Sequence, residues 1–237
     1  MKEIRFFYNP DAENGELPEE EAGHAVRVLR LGMGDEIWIM DGKGTFHRCT
    51  ITESTKKRCL YSIEESLPQP RAWKGHLHLA IAPTKNIDRM EWLTEKATEI
   101  GFDELTFLNC QNSERRTVKN ERIEKILVSA MKQSHKSELP KFNGMVNFHD
   151  FIRDHSSSQG RFICHCWEGE KPLLKHELTD EDTLVLVGPE GDFSQEEVEM
   201  AEKAGFKSVS LGKSRLRTET AGLVAIDLMH LANEFED

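Results

Sequence analysis

Two stretches near the C-terminus combine residue types that can hold and orient a ligand. Leu184–Val187 leads into Gly188, Pro189, Glu190, Gly191, Asp192 and Phe193; Leu211, Gly212 and Lys213 lead into Ser214, Arg215, Leu216, Arg217, Thr218, Glu219, Thr220 and Ala221. Glycine lets the backbone approach a ligand closely, and a loop that opens a helix offers unpaired N–H groups. Between Phe206 and Thr218 stand Lys207, Lys213, Arg215 and Arg217 with no acid among them. Spacing alone equally allows the glycines to make tight turns and the cations to be solvated. Glu219 has two readings, a general base or a carboxylate favoured by the positive end of a helix. Glu190 has two as well, a ligand contact or a support for its own loop.

Other chemistries lack their signatures. No G-x-G-x-x-G, G-x-x-x-x-G-K-[ST], G-x-S-x-G or H-E-x-x-H occurs, so a standard dinucleotide site, a P-loop, a serine hydrolase and a zinc protease are all unsupported. Five cysteines form no C-x-x-C pair, and an odd number argues against a disulfide framework and for reduced thiols. Cys164, His165 and Cys166 sit in Arg161–Trp167, which reads as a buried strand; no metal site is expected.

The elements that must carry these loops fall into two regimes. Up to about Ser66 short extended runs dominate: Glu3–Phe7, Asp35–Met40, Thr45–Glu53 and Arg58–Glu64, with Asp41–Gly44 as a hairpin turn. One helix interrupts them after Pro18, acidic in its first turn, with Ala22, Val26 and Leu29 on one face. This is the pattern of a small β-barrel, and the two prolines of Ser66–Gly75 mark a linker. Beyond Gly75, strands and helices alternate. Strands are expected at His76–Ala82, Glu104–Cys110, Phe162–Trp167, Thr183–Val187 and Val209–Leu211. Helices are expected at Ile87–Ile100, Lys119–Ser134, after a capping box at Ser194–Glu197, and from a cap at Thr218 onward. Alternation of this kind predicts a parallel sheet covered on both faces, with both loops at the carboxyl ends of its strands, where such sheets bind ligands. Trp73, Trp92 and Trp167 are expected to pack in the core or linker.

Composition sets further bounds. The 237 residues are 38% hydrophobic and 31% charged, with a net charge of −11, which suits two unequal, well-solvated domains. No run is apolar enough for a membrane helix, and Met1–Arg5 has no apolar signal core, so a cytoplasmic location is expected. An acidic chain is an awkward partner for phosphates, so any nucleic-acid binding must use local basic patches.

At the two loops the sequence resembles the 16S rRNA (uracil-N3)-methyltransferase (RsmE) family of the SPOUT superfamily. Leu186–Gly191 is similar to one S-adenosylmethionine-site motif, and Leu211, Gly212 and Arg215–Ala221 to the other. His24–Arg30 resembles the family's H-x-x-R-V-L-R stretch, and Lys85, Arg89–Glu91, Glu99–Gly101 and Ser113–Arg115 follow its middle region. Asp192 stands where members often have a second glycine, and Lys132 and Lys136 also depart from the pattern.

The resemblance implies an N-terminal PUA-like β-barrel over residues 1–70 and an α/β SPOUT domain over 71–237, with a parallel sheet and a C-terminal trefoil knot. It further implies a homodimer acting on 16S rRNA in the 30S subunit, without metal or membrane. S-adenosylmethionine would be held by Leu186, Gly188, Glu190, Gly191, Leu211, Gly212, Leu216 and Thr218. Arg217, Glu219 and Arg215 are the catalytic candidates; the two arginines would steady a developing uracil anion or contact phosphate. His24, Arg27, Arg30, Lys85, Arg89 and Arg115 are the RNA-contact candidates, with Lys56, Lys57 and Arg58 alongside. A related enzyme modifying another base or a ribose, and a non-catalytic RNA-binding protein, are the alternatives.

Overall fold

The computed structural model describes residues 4–55, 57–156, 160–179 and 181–234. Glu3 of the first expected strand and Lys56 of the basic set lie outside them. The chain divides into two compact units, Met1–Arg71 with Val128–Leu139, and Ala72–Leu127 with Pro140–Asp237.

The first unit holds a four-stranded sheet of β1 (Phe6–Tyr8), β2 (Glu36–Met40), β3 (Thr45–Ser54) and β4 (Cys59–Pro68), in that order. β1 runs parallel to β2 and the other pairs are antiparallel. The β2–β3 turn is tied by Asp41, whose carboxylate accepts from the amides of Lys43 and Thr45, as an Asx turn should. Glu16 bridges to Leu60, drawing the segment after β1 back to β4. Alternate residues such as Phe7, Ile37, Ile39, Cys49 and Ile51 fill the core.

Two expectations for this unit need correction. Ser66–Pro68 belongs to β4 rather than to a linker, because the long strand β3 offers partners as far as Thr45 opposite Pro68; proline is tolerated at such a strand end. The single helix after Pro18 is a short α1 (Glu19–Gly23) that widens into a π turn over His24–Val28, closed by Leu29 N–H to His24 O at 3.1 Å. Ala22 and Ala25 take the buried positions, while Val26 and Leu29 are half-buried.

The second unit is a six-stranded, wholly parallel sheet of order β10-β8-β9-β5-β6-β7. Its strands are β5 (Leu77–Ile81), β6 (Glu104–Asn109), β7 (Lys141–Asn147), β8 (Arg161–Cys164), β9 (Thr183–Val187) and β10 (Lys207–Val209). β5 and β9 are buried on both faces, as central parallel strands must be. α2 (Ile87–Ile100) and α6 (Thr218–Asn233) pack on one face, and α4 (Phe148–Asp154) and α5 (Gln195–Lys203) on the other. α3 (Asn120–Gln133) is the remaining long helix. Asn86 caps α2 by accepting from Asp88 N–H, and Ser194 and Glu197 form the expected capping box of α5.

β7 and α4 had no counterpart in the sequence reading. Lys141–Asn147 is a half-exposed edge strand without apolar alternation, and α4 follows it with no intervening loop. β8 ends at Cys164 rather than Trp167, because the Cys166 amide donates to Asp192 Oδ2 and the Trp167 indole to Phe193 O. β10 ends at Val209 in register with Cys164, and Ser210 then bonds to the 172–174 segment instead. Trp167 and Trp92 are 45% and 44% exposed, so neither is a core residue.

Facing α4, the strand starts carry a polar cluster. Glu104 lies against His76 Nε2 at 2.8 Å and accepts from Asn143 Nδ2 at 2.6 Å and Lys141 Nζ at 3.0 Å, while His78 Nε2 lies 2.8 Å from Thr106 Oγ1. Burial drives the His78 pKa down to about 3. The hydrogen bond from His76 holds the Glu104 carboxyl well below its ordinary range, and the same bond raises His76. The unfolded chain protonates His78 near 6.5 while the fold keeps it neutral, so His78 costs stability as pH falls from about 6.5 toward 3. His76 acts oppositely, contributing below 6.5 and losing its contribution as pH rises through its elevated folded value. Its ring is half-exposed, which weakens that effect. We predict that the melting temperature falls between pH 6.5 and 5, and that His78→Gln flattens the fall. An unchanged slope in the variant would assign the proton uptake elsewhere.

Candidate active site

At the carboxyl ends of β8, β9 and β10 lies a cavity of about 580 Å³, bounded by the loop after β9, the loop from β10 into α6, residues Cys164–Cys166, and Arg89 from the first turn of α2. Of the expected cofactor set, Gly188, Glu190, Gly191, Leu211, Gly212, Leu216 and Thr218 line it. Leu186 does not; it is fully buried on the α4 and α5 side of the sheet. Gly212 has φ +136°, and nothing lies within 4 Å of where a Cβ would point, so backbone rather than side chain forms the wall there.

The loop after β9 is fastened by its own acids. Glu190 Oε1 accepts from Lys85 N–H at 2.9 Å. Asp192, at φ +64°, accepts from Cys166 N–H through Oδ2 at 2.7 Å and from Phe193 N–H through Oδ1 at 2.8 Å. The almost fully buried Glu197 accepts from Gln111 N–H at 2.8 Å and Ser194 N–H at 2.9 Å. Asn112 Nδ2 donates back to the carbonyls of Gly191 and Asp192. Carboxylate-to-amide bonds are charge-assisted and strong, so the loop is held in place before any ligand arrives.

Three arginines line the same cavity: Arg89, Arg215 and Arg217. Arg217 occupies the N-cap position of α6 and makes no side-chain cap. Thr218 is therefore the first helical residue, one place inside the cap expected of it. Glu219 does not line the cavity; it is 7% exposed, with Oε1 3.6 Å from Arg89 Nε. Burial pushes the thiol of Cys164 up to about 12, and burial together with Asp192 raises that of Cys166. Neither is poised as a thiolate nucleophile. The pKa of His165, whose Nε2 lies 2.9 Å from Ser208 Oγ, is lowered, chiefly by burial. The cavity is thus built to hold and orient a ligand under a cationic rim.

The remaining candidates are spread more widely. Lys85 pairs with Glu114 at 2.8 Å, and Arg115 donates to the carbonyls of Thr84 and Lys85, bracing the β5–α2 loop. His24, Arg27 and Arg30 are exposed in the first unit, Arg30 at φ +56°. Arg58 donates from Nε and one terminal nitrogen to the two carboxylate oxygens of Glu16. Sequence reasoning gave Asp192 no role in its loop and did not place Ser210 or Cys164–Cys166 at the site. The exit of β8 was the available signal, but it becomes informative only once β8 is known to lie between β9 and β10. Among the described residues, no group of three or more His, Cys, Asp or Glu side chains is placed to hold a metal ion.

Comparisons with known proteins agree with this geometry. Residues 71–230 match an RNA methyltransferase domain and residues 17–64 an RNA methyltransferase PUA domain. The chain is 30% identical over 219 residues to the ribosomal RNA small subunit methyltransferase E of Aquifex aeolicus, covering 90% of this chain and 92% of that one. A probable rRNA-methyltransferase from Porphyromonas gingivalis has a crystal structure that superposes with a TM-score of 0.91 at 43% identity, over 97% of this chain and 98% of that one. The ribosomal RNA small subunit methyltransferase E of Neisseria gonorrhoeae, solved bound to S-adenosyl methionine, gives 0.82 at 27% identity over 97% and 98%. Parallel sheet, paired loops and N-terminal PUA-like unit together with these matches show that the chain belongs to the ribosomal RNA small subunit methyltransferase E family of RNA methyltransferases.

Proposed function

We propose that this chain transfers the methyl group of S-adenosylmethionine to N3 of a uridine in the 16S rRNA of the small ribosomal subunit. The observation that carries the proposal is the single cavity shared by both motif loops, Gly188–Asp192 and Ser210–Thr218, in a chain of this family. Its volume lies within the roughly 300–1,000 Å³ of ordinary small-molecule sites. Open backbone at Gly212 and an apolar wall from Val187, Leu211 and Leu216 fit a nucleoside.

S-adenosylmethionine supplies an activated methyl group, so the protein's work is chiefly to bind and align. Gly188, Gly191, Leu211, Gly212 and Leu216 hold it by backbone bonds and apolar contact, with Glu190 fixing the loop through Lys85. Uracil N3 must be unpaired and must lose its proton. Arg215 and Arg217, beside the positive end of α6, favour an anion there, either the developing imide or an RNA phosphate. Arg115, with its nitrogens on two carbonyls, is assigned to loop support. His24, Arg27 and Arg30 are proposed to follow the RNA backbone from the PUA-like unit.

Two further features of the family reading have structural support. The C-terminal trefoil knot is proposed from the family resemblance; Ser210 N–H donating to Pro172 O and Leu174 N–H to Ser210 O, with α6 packed on β5 and β9, is consistent with it. A homodimer is proposed from the family resemblance; Leu231 on α6 and Trp92 on α2, 60% and 44% exposed, are apolar side chains that such an interface would cover. No described helix is long and apolar enough to cross a membrane, and the cytoplasm is the proposed place of action.

Mass mapping of 16S rRNA from cells lacking this protein should show the loss of one N3-methyluridine; an unaltered map would refute the substrate assignment. Arg217→Ala should lower turnover at least about 100-fold, as loss of an electrostatic contact at a reacting centre does, with the circular-dichroism spectrum unchanged. Near-normal turnover would remove Arg217 from the site. Asp192→Ala should weaken S-adenosylmethionine binding in calorimetry by about 10-fold, the equivalent of one charge-assisted hydrogen bond, and Asp192→Asn should lose less. Equal affinity in all three proteins would show that the loop holds its shape without this side chain.

A further inference from the structure

Glu219 is almost enclosed, and its two carboxylate oxygens have different surroundings. Oε1 faces Arg89 Nε at 3.6 Å, whereas Oε2 is buried and makes no hydrogen bond. A buried carboxylate without compensation is costly, and the neighbouring guanidinium is the compensating charge. Arg89 itself is poorly placed for stability. It sits in the first turn of α2, where the helix dipole disfavours a cation, and it faces the first turn of α6, which is positive as well.

The meeting of the two side chains is imposed by helix packing. Gly222 lies one turn along α6 from Glu219, and a Cβ there would stand 2.8 Å from Ile81 Cδ1 and 3.1 Å from Leu93 Cδ2. A side chain at 222 would have to displace the tips of Ile81 and Leu93, so glycine lets α6 approach β5 and α2 this closely. With that contact fixed, the second residue of α6 and the third of α2 come together at the edge of the cavity. Arg89 lines the cavity and Glu219 stands behind it.

We infer that Glu219 does not remove the substrate proton but anchors Arg89, and that the Arg89 guanidinium joins Arg215 and Arg217 as a cation facing the reacting base; this rests on the methyl-transfer reading above. In that reaction the N3 proton leaves to water, the N3 electron pair forms the new bond to the methyl carbon, and the carbon–sulfur bond breaks with its pair staying on sulfur. Negative charge spreads over N3 and the two flanking carbonyl oxygens before the methyl arrives. A fixed guanidinium offsets it. Glu219 touches none of these atoms and is a positioning residue.

The test compares Glu219→Gln, Glu219→Ala, Arg89→Met and the double variant Glu219→Ala/Arg89→Met, measuring S-adenosylmethionine affinity by calorimetry and methylation of 30S subunits. Gln keeps an acceptor oxygen for Arg89 yet cannot take up a proton; Ala offers neither. Arg89→Met and Glu219→Ala should each lower kcat about 100-fold, Glu219→Gln about 10-fold, and the double variant no further than Arg89→Met alone, because a tether has no effect once its cargo is gone. Cofactor affinity should stay within about threefold throughout, since neither residue is assigned to holding the cofactor. Glu219→Gln as inactive as Glu219→Ala, with Arg89→Met near normal, would overturn the inference and restore Glu219 as a base. Multiplying losses in the double variant would overturn it too. Should Glu219→Ala not fold, Glu219→Gln against Arg89→Met, whose side chain is 37% exposed, gives the same decision. A wild-type protein that binds S-adenosylmethionine but leaves every uridine N3 unmethylated would instead sink the reading underneath.

Discussion

The functional end of the sheet depends on carboxylates that accept from backbone amides across long sequence distances. Two acids of the loop after β9 and one in the first turn of α5 reach three other strand ends: Glu190 to Lys85 after β5, Asp192 to Cys166 after β8, and Glu197 to Gln111 after β6. Parallel strands end independently, and nothing in their ladders fixes the loops beyond them. The braces make four neighbouring loops one object, and a cavity with a defined shape follows.

This use of acids also bears on how an acidic chain can work on RNA. Glu104, Glu190, Asp192, Glu197 and Glu219 are all engaged with amides, amide side chains or cations inside the second unit. Glu197 and Glu219 are buried, so part of the formal −11 stands inside the fold rather than on the surface a phosphate approaches. The cations, by contrast, gather where a polyanion would come, with Arg89, Arg215 and Arg217 at one rim. Net charge is a sum over the molecule, whereas binding responds to the local field.

What the sequence made legible follows from how local each signal is. Ile87–Ile100 is helical over the range its periodicity marks, and Thr183–Val187 and the Ser194 capping box also stand where local chemistry puts them. Lys141–Asp154 was not legible, because an edge strand half in water need not alternate and its partner β6 is far away in sequence. Arg217 rather than Thr218 at the N-cap, and a π turn at His24–Val28, are one-residue matters that tertiary contacts decide. At the site, the glycines and arginines could be found by type and order. That Arg89, named only as an RNA-contact candidate, lines this cavity, that Glu219 turns inward and that Leu186 is buried could not, since each depends on which helix or strand packs beside it.

Asp192 shows how a departure from a family pattern can be read physically. A glycine there would adopt φ +64° without strain, whereas aspartate is among the few other residues that enter this region at modest cost. In return it contributes two amide hydrogen bonds that glycine cannot, one of them to the exit of β8. A loop built on two glycines gains its conformation from permissiveness and keeps the entropy of that freedom in the unbound state. This loop gains the same conformation from a side chain that also ties it to its neighbour. The binding surface is therefore set before the ligand enters, and less of the binding free energy is spent on ordering it.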